Sequence, residues 1–197
     1  MGLIEEFEET YWEHGHLVIG IDEAGRGPMA GPLVVSGVVF PIGYNDERIN
    51  DSKKLSAKKR DELVSIILTE ALWTKTIIVD VETIDTKNIY KATQEAMRDI
   101  ANEARINHVL TDAMPLVDCI HPHTSIVKGD QGSISIAAAS ILAKTRRDEI
   151  MLEIDEEFPQ YGFKNHKGYG TKKHKESILE FGRCIHHRNS FKFKDES

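Results

Sequence analysis

Two adjacent acidic residues stand directly after an apolar strand pattern, and this pairing most constrains the fold. Residues 17–21 have the sequence LVIGI, Asp22 and Glu23 follow, and residues 24–28 then form a glycine-rich stretch. Because side chains alternate along a strand, neighbouring acids reach one site only where the strand ends and the backbone turns. The segment therefore predicts a strand whose end delivers two carboxylates to a single site, with the glycines supplying the turn.

Such a pair of carboxylates favours metal-assisted phosphate chemistry. Carboxylate oxygens are preferred ligands of Mg²⁺ and Mn²⁺, which proteins often bind through a few carboxylates together with phosphate oxygens of a substrate. The glycines leave space for a phosphate beside the acids. The alternative interpretation is that Asp22 and Glu23 only end a strand and solvate a turn.

Glycines in this region also approximate a dinucleotide-binding fingerprint, at Gly25, Gly27 and Gly31. Three observations disfavour that interpretation. Pro28 lacks a backbone donor, residues 33–40 have a strand pattern rather than a helix pattern, and two bare carboxylates would repel a pyrophosphate. A cation between the acids and a phosphate would turn this repulsion into attraction.

The overall composition is that of one globular domain. A chain of 197 residues with 40% hydrophobic residues can bury a complete core. It has no apolar stretch long enough for a membrane span, and residues 2–9 are acidic rather than typical of a secretory signal. We therefore expect a cytoplasmic protein with no membrane association, in which Cys119 and Cys184 are reduced, unpaired thiols.

Basic residues are concentrated in two parts of a chain whose net charge is −7. Residues 160–197 contain nine Lys or Arg against four Asp or Glu. An earlier basic cluster comprises Lys53, Lys54, Lys58, Lys59 and Arg60. A lysine-rich run is often only a solvated helix face, but two such clusters beside acidic motifs are typical of a polyanion-binding track around a cation site.

Hydrophobic periodicity predicts strands and helices that alternate after an initial strand pair. An amphipathic helix carrying Leu3, Ile4, Phe7 and Tyr11 precedes the first strand. Strands are predicted at residues 17–22, 33–40, 74–81, 108–111 and 119–127. Helices are predicted from the N-cap Ser56 to about residue 71, at 88–104, at 134–158 and at 171–181, with a glycine-rich loop at 162–170. This order indicates a mixed α/β sheet with helices on its faces.

Two further acids, Asp112 and Asp148, differ in how well the local pattern supports a role. Asp112 follows an apolar strand, as Asp22 does, and α/β folds bind ligands at such strand ends. It could equally be a turn residue before Pro115. Asp148 lies among charged residues at 144–149, where an exposed, ion-paired acid is the default, so spacing alone does not single it out.

Several motifs, in a characteristic order, resemble those of bacterial type 2 ribonuclease H, ribonuclease HII, from about Leu17 to Phe191. They occupy residues 22–28 with 31–32, 51–55, 128–130, 135–144, 147–148, 166–171, and 187–188 before 190–191. The resemblance implies a ribonuclease H-like α/β fold, a mixed sheet flanked by helices, with a small basic helical C-terminal segment. It implies a single catalytic domain over residues 1–197, with a core of about 16–158 and the basic segment at about 160–197.

The resemblance also implies chemistry. Asp22, Glu23, Asp112 and Asp148 would form an acidic set for two Mg²⁺ or Mn²⁺ ions, which lie about 3.5–4 Å apart in two-metal sites. Such an endoribonuclease hydrolyses the RNA strand of RNA–DNA hybrids and incises duplex DNA on the 5′ side of single embedded ribonucleotides. Its products carry 3′-hydroxyl and 5′-phosphate ends.

Ribonucleotide recognition requires a sensor for the 2′-hydroxyl group. By resemblance, the backbone of Gly25, Arg26 and Gly27 is that sensor, since glycine permits close approach. Tyr169 resembles the tyrosine that packs on the sugar at the RNA-to-DNA junction, although a tyrosine considered alone is more often a core or surface aromatic residue.

Phosphate contacts are expected from Lys53, Lys128 and the basic tail, which would position the duplex without distinguishing its bases. The chain departs from its relatives in two places. Ala113-Met114 follows the third acid where many relatives have Gly-Asn, and Gly182-Arg183 replaces a usual Gly-Pro. Neither departure changes a proposed ligand. The sister type 3 enzymes typically carry an additional amino-terminal domain, which favours type 2 for a chain with about 16 residues before its first strand.

Three alternatives remain at this stage. Histidine pairs near residues 14–16, 121–123 and 186–187 suggest zinc, but zinc sites usually add cysteines in paired spacing, so we expect no zinc. A non-catalytic nucleic-acid-binding module would bind without cleaving. Another metal-dependent nuclease of the same superfamily, such as a junction resolvase or an exonuclease, would differ in its substrate. For the intact chain we expect a monomer.

Overall fold

A mixed five-stranded sheet forms the centre of the protein, whose computed structural model describes residues 6–49 and 57–194. The strands are β1 (Val18–Ala24), β2 (Leu33–Val39), β3 (Trp73–Val79), β4 (His108–Asp112) and β5 (His123–Ile126). Their order across the sheet is β3-β2-β1-β4-β5. Strands β1, β2 and β3 pair antiparallel, whereas β4 runs parallel to both β1 and β5. The predicted α/β fold with a mixed sheet flanked by helices is confirmed.

Seven helices accompany this sheet within the described residues. They are α1 (Glu6–Trp12), α2 (Ala57–Glu70), α3 (Val81–Lys87), α4 (Ile89–Glu103), α5 (Ile134–Glu157), α6 (Phe163–His166) and α7 (Lys172–Phe181). No helix in this part of the chain combines the length and hydropathy needed to cross a membrane.

Two hydrophobic clusters cover the two faces of the sheet. Residues of β1 alternate between them, with Val18 in the cluster beneath α5 and Ile19 in the cluster beneath α4. Every residue of β2 is buried, as expected for a strand with helices on both faces. Helix α5 approaches β1 closely, because a Cβ atom on Gly20 would lie only 2.2 Å from the Ile136 nitrogen. This close approach fixes the position of α5 over the strand that carries the acidic pair.

A third cluster holds the C-terminal segment against the loop after β1. Met29, Tyr161, Phe163 and Ile178 pack together in it. Backbone hydrogen bonds join the Met29 amide to the Gly168 carbonyl and the Gly31 amide to the His186 carbonyl, each at 2.8 Å. The C-terminal segment therefore packs against the loop after β1 and supports its backbone.

Several element boundaries differ from the sequence prediction. The strand predicted at 74–81 ends at Val79, and the missed helix α3 begins at Val81, where the Asp80 side chain accepts from the Thr83 amide at 2.7 Å. The strand predicted at 119–127 is confined to His123–Ile126, and the loop predicted at 162–170 contains α6. The proposed cap Ser56, and Leu3 and Ile4 of the first helix, lie outside the described residues.

Candidate active site

A cavity of about 310 Å³ opens where β1 and β4 end. These strands are parallel neighbours whose pairing ends with Ile21 opposite Thr111, so Asp22 and Asp112 follow side by side. The residues that line the cavity are Asp22, Glu23, Ala24, Gly25, Arg26, Gly27, Arg60, Asp112, Ser140, Lys144, Arg147 and Tyr169. Carboxyl ends of parallel strands are where α/β folds bind ligands. The structure thus brings three of the four predicted acids to one cavity.

Asp22 occupies an electrostatically unfavourable position in this cavity. Burial raises the pKa of its carboxyl well above the ordinary value, and the negative charges of Glu23 and Asp112 raise it further. A hydrogen bond from Ser140 and one from the Glu23 amide, 2.7 Å from Asp22 Oδ1, oppose this shift but do not cancel it. Like charges held together in this way are expected to bind a proton or a cation.

The other two acids of the cavity wall have donors of their own. Asp112 Oδ1 accepts from the Gly129 amide at 2.9 Å, which ties the end of β4 to the turn after β5. Glu23 Oε1 lies 3.4 Å from Arg26 Nη1. These contacts orient both carboxylates without neutralising the cluster as a whole.

Asp148 is held differently from the other three acids. Its carboxylate accepts from Lys144 Nζ at 2.6 Å and from Arg60 Nη2 at 3.1 Å. It is not among the residues that line the cavity, although both of its partners are. Ser140, Lys144, Arg147 and Asp148 share one face of α5, since they are spaced at helical intervals. The fourth acid therefore lies beside the cavity as the centre of an ion-pair cluster.

The donor set suits hard divalent cations. Carboxylate oxygens predominate, as Mg²⁺ and Mn²⁺ prefer, and the repulsion that raises the pKa of Asp22 is what a cation would relieve. Over residues 6–49 and 57–194, no three His, Cys, Asp or Glu side chains are already grouped as a metal site.

The loop after β1, residues 25–32, is called the glycine loop below, and it faces Tyr169 across the cavity mouth. Gly25 has φ +102°, and a Cβ atom there would lie 2.2 Å from Arg147 Nε, so only glycine fits. A Cβ atom on Gly27 would instead lie 3.7 Å from Tyr169 Cε1, an ordinary contact. Tyr169 is 48% exposed, and its carbonyl accepts from His174 Nδ1 at 2.9 Å. The Gly25, Arg26 and Gly27 backbone and the Tyr169 ring thus border one gap.

Of the two lysines predicted to bind phosphate, Lys128 is not among the residues that line the cavity. Lys128 is exposed, with a left-handed backbone at φ 59°, at the turn that supplies the Gly129 donor to Asp112. Lys53 lies outside the described residues, as does the rest of its motif.

Sequence reasoning missed several residues of this region. The sequence indicates Arg60 only as part of a basic cluster, and Ser140 and Lys144 only as parts of a motif. The spacing of Lys144 and Asp148 at i and i+4 was a usable signal for their ion pair. Arg147 is buried and gave no such signal, since arginines are mostly exposed.

Comparisons with known proteins agree on one family. A family model described as Ribonuclease HII matches residues 19–194. The Ribonuclease HII of Acholeplasma laidlawii is 49% identical over 188 residues, which cover 94% of this chain and 92% of that protein. The structure of the PCNA:RNase HII complex from Archaeoglobus fulgidus matches with a TM-score of 0.78 and 26% identity, covering 92% of this chain and 98% of that one. Bst-RNase HIII in complex with Mn²⁺ is 17% identical, with a TM-score of 0.67 over 89% of this chain and 67% of its own, and is similar in fold alone.

Proposed function

The chain belongs to the ribonuclease HII family, which confirms the resemblance of its motifs, and we propose how this metal-dependent endoribonuclease selects and cuts its substrate. It hydrolyses the RNA strand of RNA–DNA hybrids and incises duplex DNA on the 5′ side of a single ribonucleotide. The observation that carries the proposal is the meeting of Asp22, Glu23 and Asp112 in one cavity, whose mouth is the gap between the glycine loop and Tyr169.

Asp22, Glu23, Asp112 and Asp148 are the proposed holders of two Mg²⁺ or Mn²⁺ ions. When bound, these ions would supply the Lewis acidity that activates a water for in-line attack and stabilises the departing 3′ oxygen. Asp22 is the central ligand, because both Glu23 and Asp112 repel its charge and a shared cation relieves both repulsions. Ser140 and the Glu23 amide keep the Asp22 carboxylate oriented towards the cavity.

Arg60 and Lys144 have two proposed roles. They neutralise Asp148 in the structure, with ion pairs at 3.1 and 2.6 Å. Both also line the cavity, so they offer positive charge to substrate phosphates when Asp148 turns towards a metal. Asp148 is thus a carboxylate that exchanges an ion-pair cluster for a cation.

Substrate selection is assigned to the gap at the cavity mouth. The Gly25, Arg26 and Gly27 backbone contacts the 2′-hydroxyl, and the Tyr169 ring packs on the adjoining sugar. Lys53, Lys128 and the exposed lysines of the basic C-terminal segment hold phosphates on either side, which sets the register of the duplex. We further propose that the protein acts as a monomer in the cytoplasm and requires no zinc.

A duplex with one embedded ribonucleotide tests this function. Two DNA duplexes of identical sequence, one with a single ribonucleotide and one without, are incubated with the protein and Mg²⁺ or Mn²⁺. We expect incision only in the first duplex, on the 5′ side of the ribonucleotide, with 3′-hydroxyl and 5′-phosphate ends. Binding without incision would indicate a non-catalytic module, and equal cutting of the all-DNA duplex would indicate another class of nuclease.

A further inference from the structure

Arg188 is a buried arginine whose hydrogen bonds go to the carbonyl oxygens of the glycine loop. Its Nη2 atom donates to Gly25 at 2.6 Å and to Gly31 at 2.8 Å, and its Nη1 atom donates to Arg26 at 3.2 Å. Its Nε atom donates to Gly31 at 3.0 Å. The side chain is fully buried and does not line the cavity, so it lies behind the loop.

These bonds determine the direction of the loop amides. No peptide bond in the described residues is cis, and in a trans peptide the N–H points opposite to the C=O. The Gly25 carbonyl shares its peptide with the Arg26 amide, and the Arg26 carbonyl shares its peptide with the Gly27 amide. Because both carbonyls point at Arg188, the Arg26 and Gly27 N–H groups point to the opposite side, where these residues line the cavity.

We propose that Arg188 is a positioning residue for ribose recognition, which holds the Arg26 and Gly27 amides towards the 2′-hydroxyl of the substrate. The inference rests on the proposed function and names the residue that sets its specificity. It also gives a role to the His187-Arg188 motif, which the proposed chemistry leaves unexplained.

Two features distinguish this arrangement from ordinary packing. Burial lowers the pKa of Arg188 to about 9, and repulsion from the buried Arg147 contributes to this shift. It stays charged at neutral pH, so the fold retains an unfavourable pair of buried cations beneath the loop. In addition, a planar guanidinium presents donors on three separate nitrogens in a fixed fork, which here reach three carbonyls, whereas the three donors of a lysine ammonium radiate from one atom.

The test compares Arg188→Lys with Arg183→Lys. Arg183 belongs to the same segment and also donates to backbone carbonyls, those of Arg188 and Phe191 at 2.8 Å each, and neither of these two carbonyls belongs to the glycine loop. It is therefore a matched control for the loss of a guanidinium from backbone carbonyls. Thermal melting of both variants establishes that they are folded.

The measured quantity is the ratio of two dissociation constants. Fluorescence anisotropy gives the affinity for the all-DNA duplex and for the same duplex with one ribonucleotide, with Ca²⁺ in place of Mg²⁺ and a gel to show that the DNA stays intact. Arg188→Lys should lower the preference for the ribonucleotide about five- to thirtyfold, as expected for one or two lost hydrogen bonds. Its affinity for all-DNA duplex, and both affinities of Arg183→Lys, should change less than about twofold.

Distinct results would overturn the two proposals. If the wild-type chain shows no preference for the ribonucleotide, the proposed function fails and the inference fails with it. If the wild type prefers it and folded Arg188→Lys keeps that preference, only the inference fails. Should Arg188→Lys not fold, NMR on the wild type decides: the Arg26 and Gly27 amide protons must shift differently with the two duplexes, and equal shifts would refute the role of Arg188.

Discussion

The acidic wall of the cavity and the segment behind its glycine loop bury charges of opposite sign and compensate them in different ways. In the wall, burial raises the pKa of Asp22, and repulsion from Glu23 and Asp112 raises it further. Against the loop after β1, the cationic Arg147 and Arg188 are buried but donate to its backbone carbonyls. The acidic wall, to which we assign catalysis, therefore favours added cations, whereas the guanidinium groups on the proposed recognition side are matched by carbonyls of the protein itself.

Two histidines connect the C-terminal segment to Tyr169 through hydrogen bonds. The Cys184 amide donates to His187 Nδ1 at 2.9 Å, which leaves the His187 Nε2 proton for His174 Nε2 at 3.1 Å. His174 then donates from Nδ1 to the Tyr169 carbonyl at 2.9 Å. These tautomers follow from the hydrogen-bond partners. A chain of neutral histidines thus fixes the backbone of the residue that borders the cavity mouth.

The largest expected effect comes from Asp22→Asn, which changes the acidic wall and leaves the recognition side intact. We expect a loss of cleavage of at least about 10³-fold, since a shared ligand charge disappears. The metal-free protein should become more stable by a few degrees in Tm. When the pKa of an acid is higher in the folded state than in the unfolded state, the protein loses stability as the pH rises from the unfolded-state pKa to the folded-state pKa. Replacing Asp22 by Asn removes this charge and therefore relieves a penalty that is present at neutral pH.

Calorimetry in EDTA at pH 5 and pH 7, together with a cleavage assay, checks this prediction. The gain in Tm should be larger at pH 7. Asp155→Asn is the matched control, because Asp155 is also buried but accepts from the Lys164 amide at 3.0 Å, away from the cavity. It should lose stability and keep its cleavage rate. A destabilised Asp22→Asn would contradict the view that this acid is held at a cost to the fold.

Alanine substitutions in the glycine loop should divide stability from recognition. Gly25→Ala places a Cβ atom at a positive φ and 2.2 Å from Arg147 Nε, so we expect a loss of roughly 2–4 kcal/mol in the free energy of unfolding. Gly27→Ala should change that free energy by less than about 0.5 kcal/mol, since its Cβ meets only Tyr169 at 3.7 Å.

Urea unfolding and steady-state kinetics measure the two effects. Because Gly27→Ala narrows the gap in which the sugar is proposed to lie, it should raise KM for the ribonucleotide duplex while leaving the unfolding curve in place. An unchanged KM would show that the sugar does not lie in the gap between Gly27 and Tyr169.

A smaller effect is expected at Asp148, which exchanges its ion pairs for a cation in the proposed mechanism. Asp148→Asn should raise the Mg²⁺ concentration for half-maximal cleavage about tenfold, because one ligand charge is lost while three remain. A Mg²⁺ titration of the initial rate measures the change. If the half-maximal concentration is unaltered, Asp148 is only the anchor of Arg60 and Lys144.

The smallest effect concerns the pH dependence of stability on the recognition side. Burial lowers the pKa of His174 from 6.5 to about 4, so the unfolded chain takes up a proton at a pH where the folded chain does not. Stability is therefore present above pH 6.5 and lost progressively towards pH 4. His174→Gln should reduce this loss by on the order of 1 kcal/mol, allowing for solvent screening.

Urea unfolding at pH 7.5 and pH 5 compares the two proteins. His166 titrates alongside His174, since burial also lowers its pKa, and it remains in both proteins. Equal pH dependence in wild type and variant would show that His174 does not stay neutral in the fold.

Local patterns placed the acids correctly near the carboxyl ends of buried strands, because an apolar run is specified within a few residues. Asp112 is the last residue of β4, whereas β1 continues through Asp22 and Glu23 to Ala24, two residues beyond its predicted end. Asp22 and Asp112 both line the cavity. The helix at Val81–Lys87 was missed because Val81 continues a β-branched run, while its cap, Asp80, could not be distinguished from a strand residue. Asp148 was singled out by the family resemblance alone.

The buried cations could not be predicted, because nothing in their neighbourhood requires them. Arg147 lies in a charged stretch and Arg188 in a polar one, and arginines in such contexts are usually exposed. Apart from the Lys167 carbonyl, which is 20 residues from Arg147, their partners are carbonyls 115 to 163 residues away. These contacts exist only once α5 and the C-terminal segment are folded against the loop after β1. Tertiary contacts, not local propensity, decide their roles.

Anomalous diffraction from crystals soaked in Mn²⁺ most directly tests whether the acids at the strand ends form the metal centre. We predict two peaks about 3.5–4 Å apart, with carboxylate oxygens of Asp22, Glu23 and Asp112 as ligands. Mn²⁺ found only elsewhere on the protein, or bound at the cavity without an oxygen of Asp22, would contradict the account.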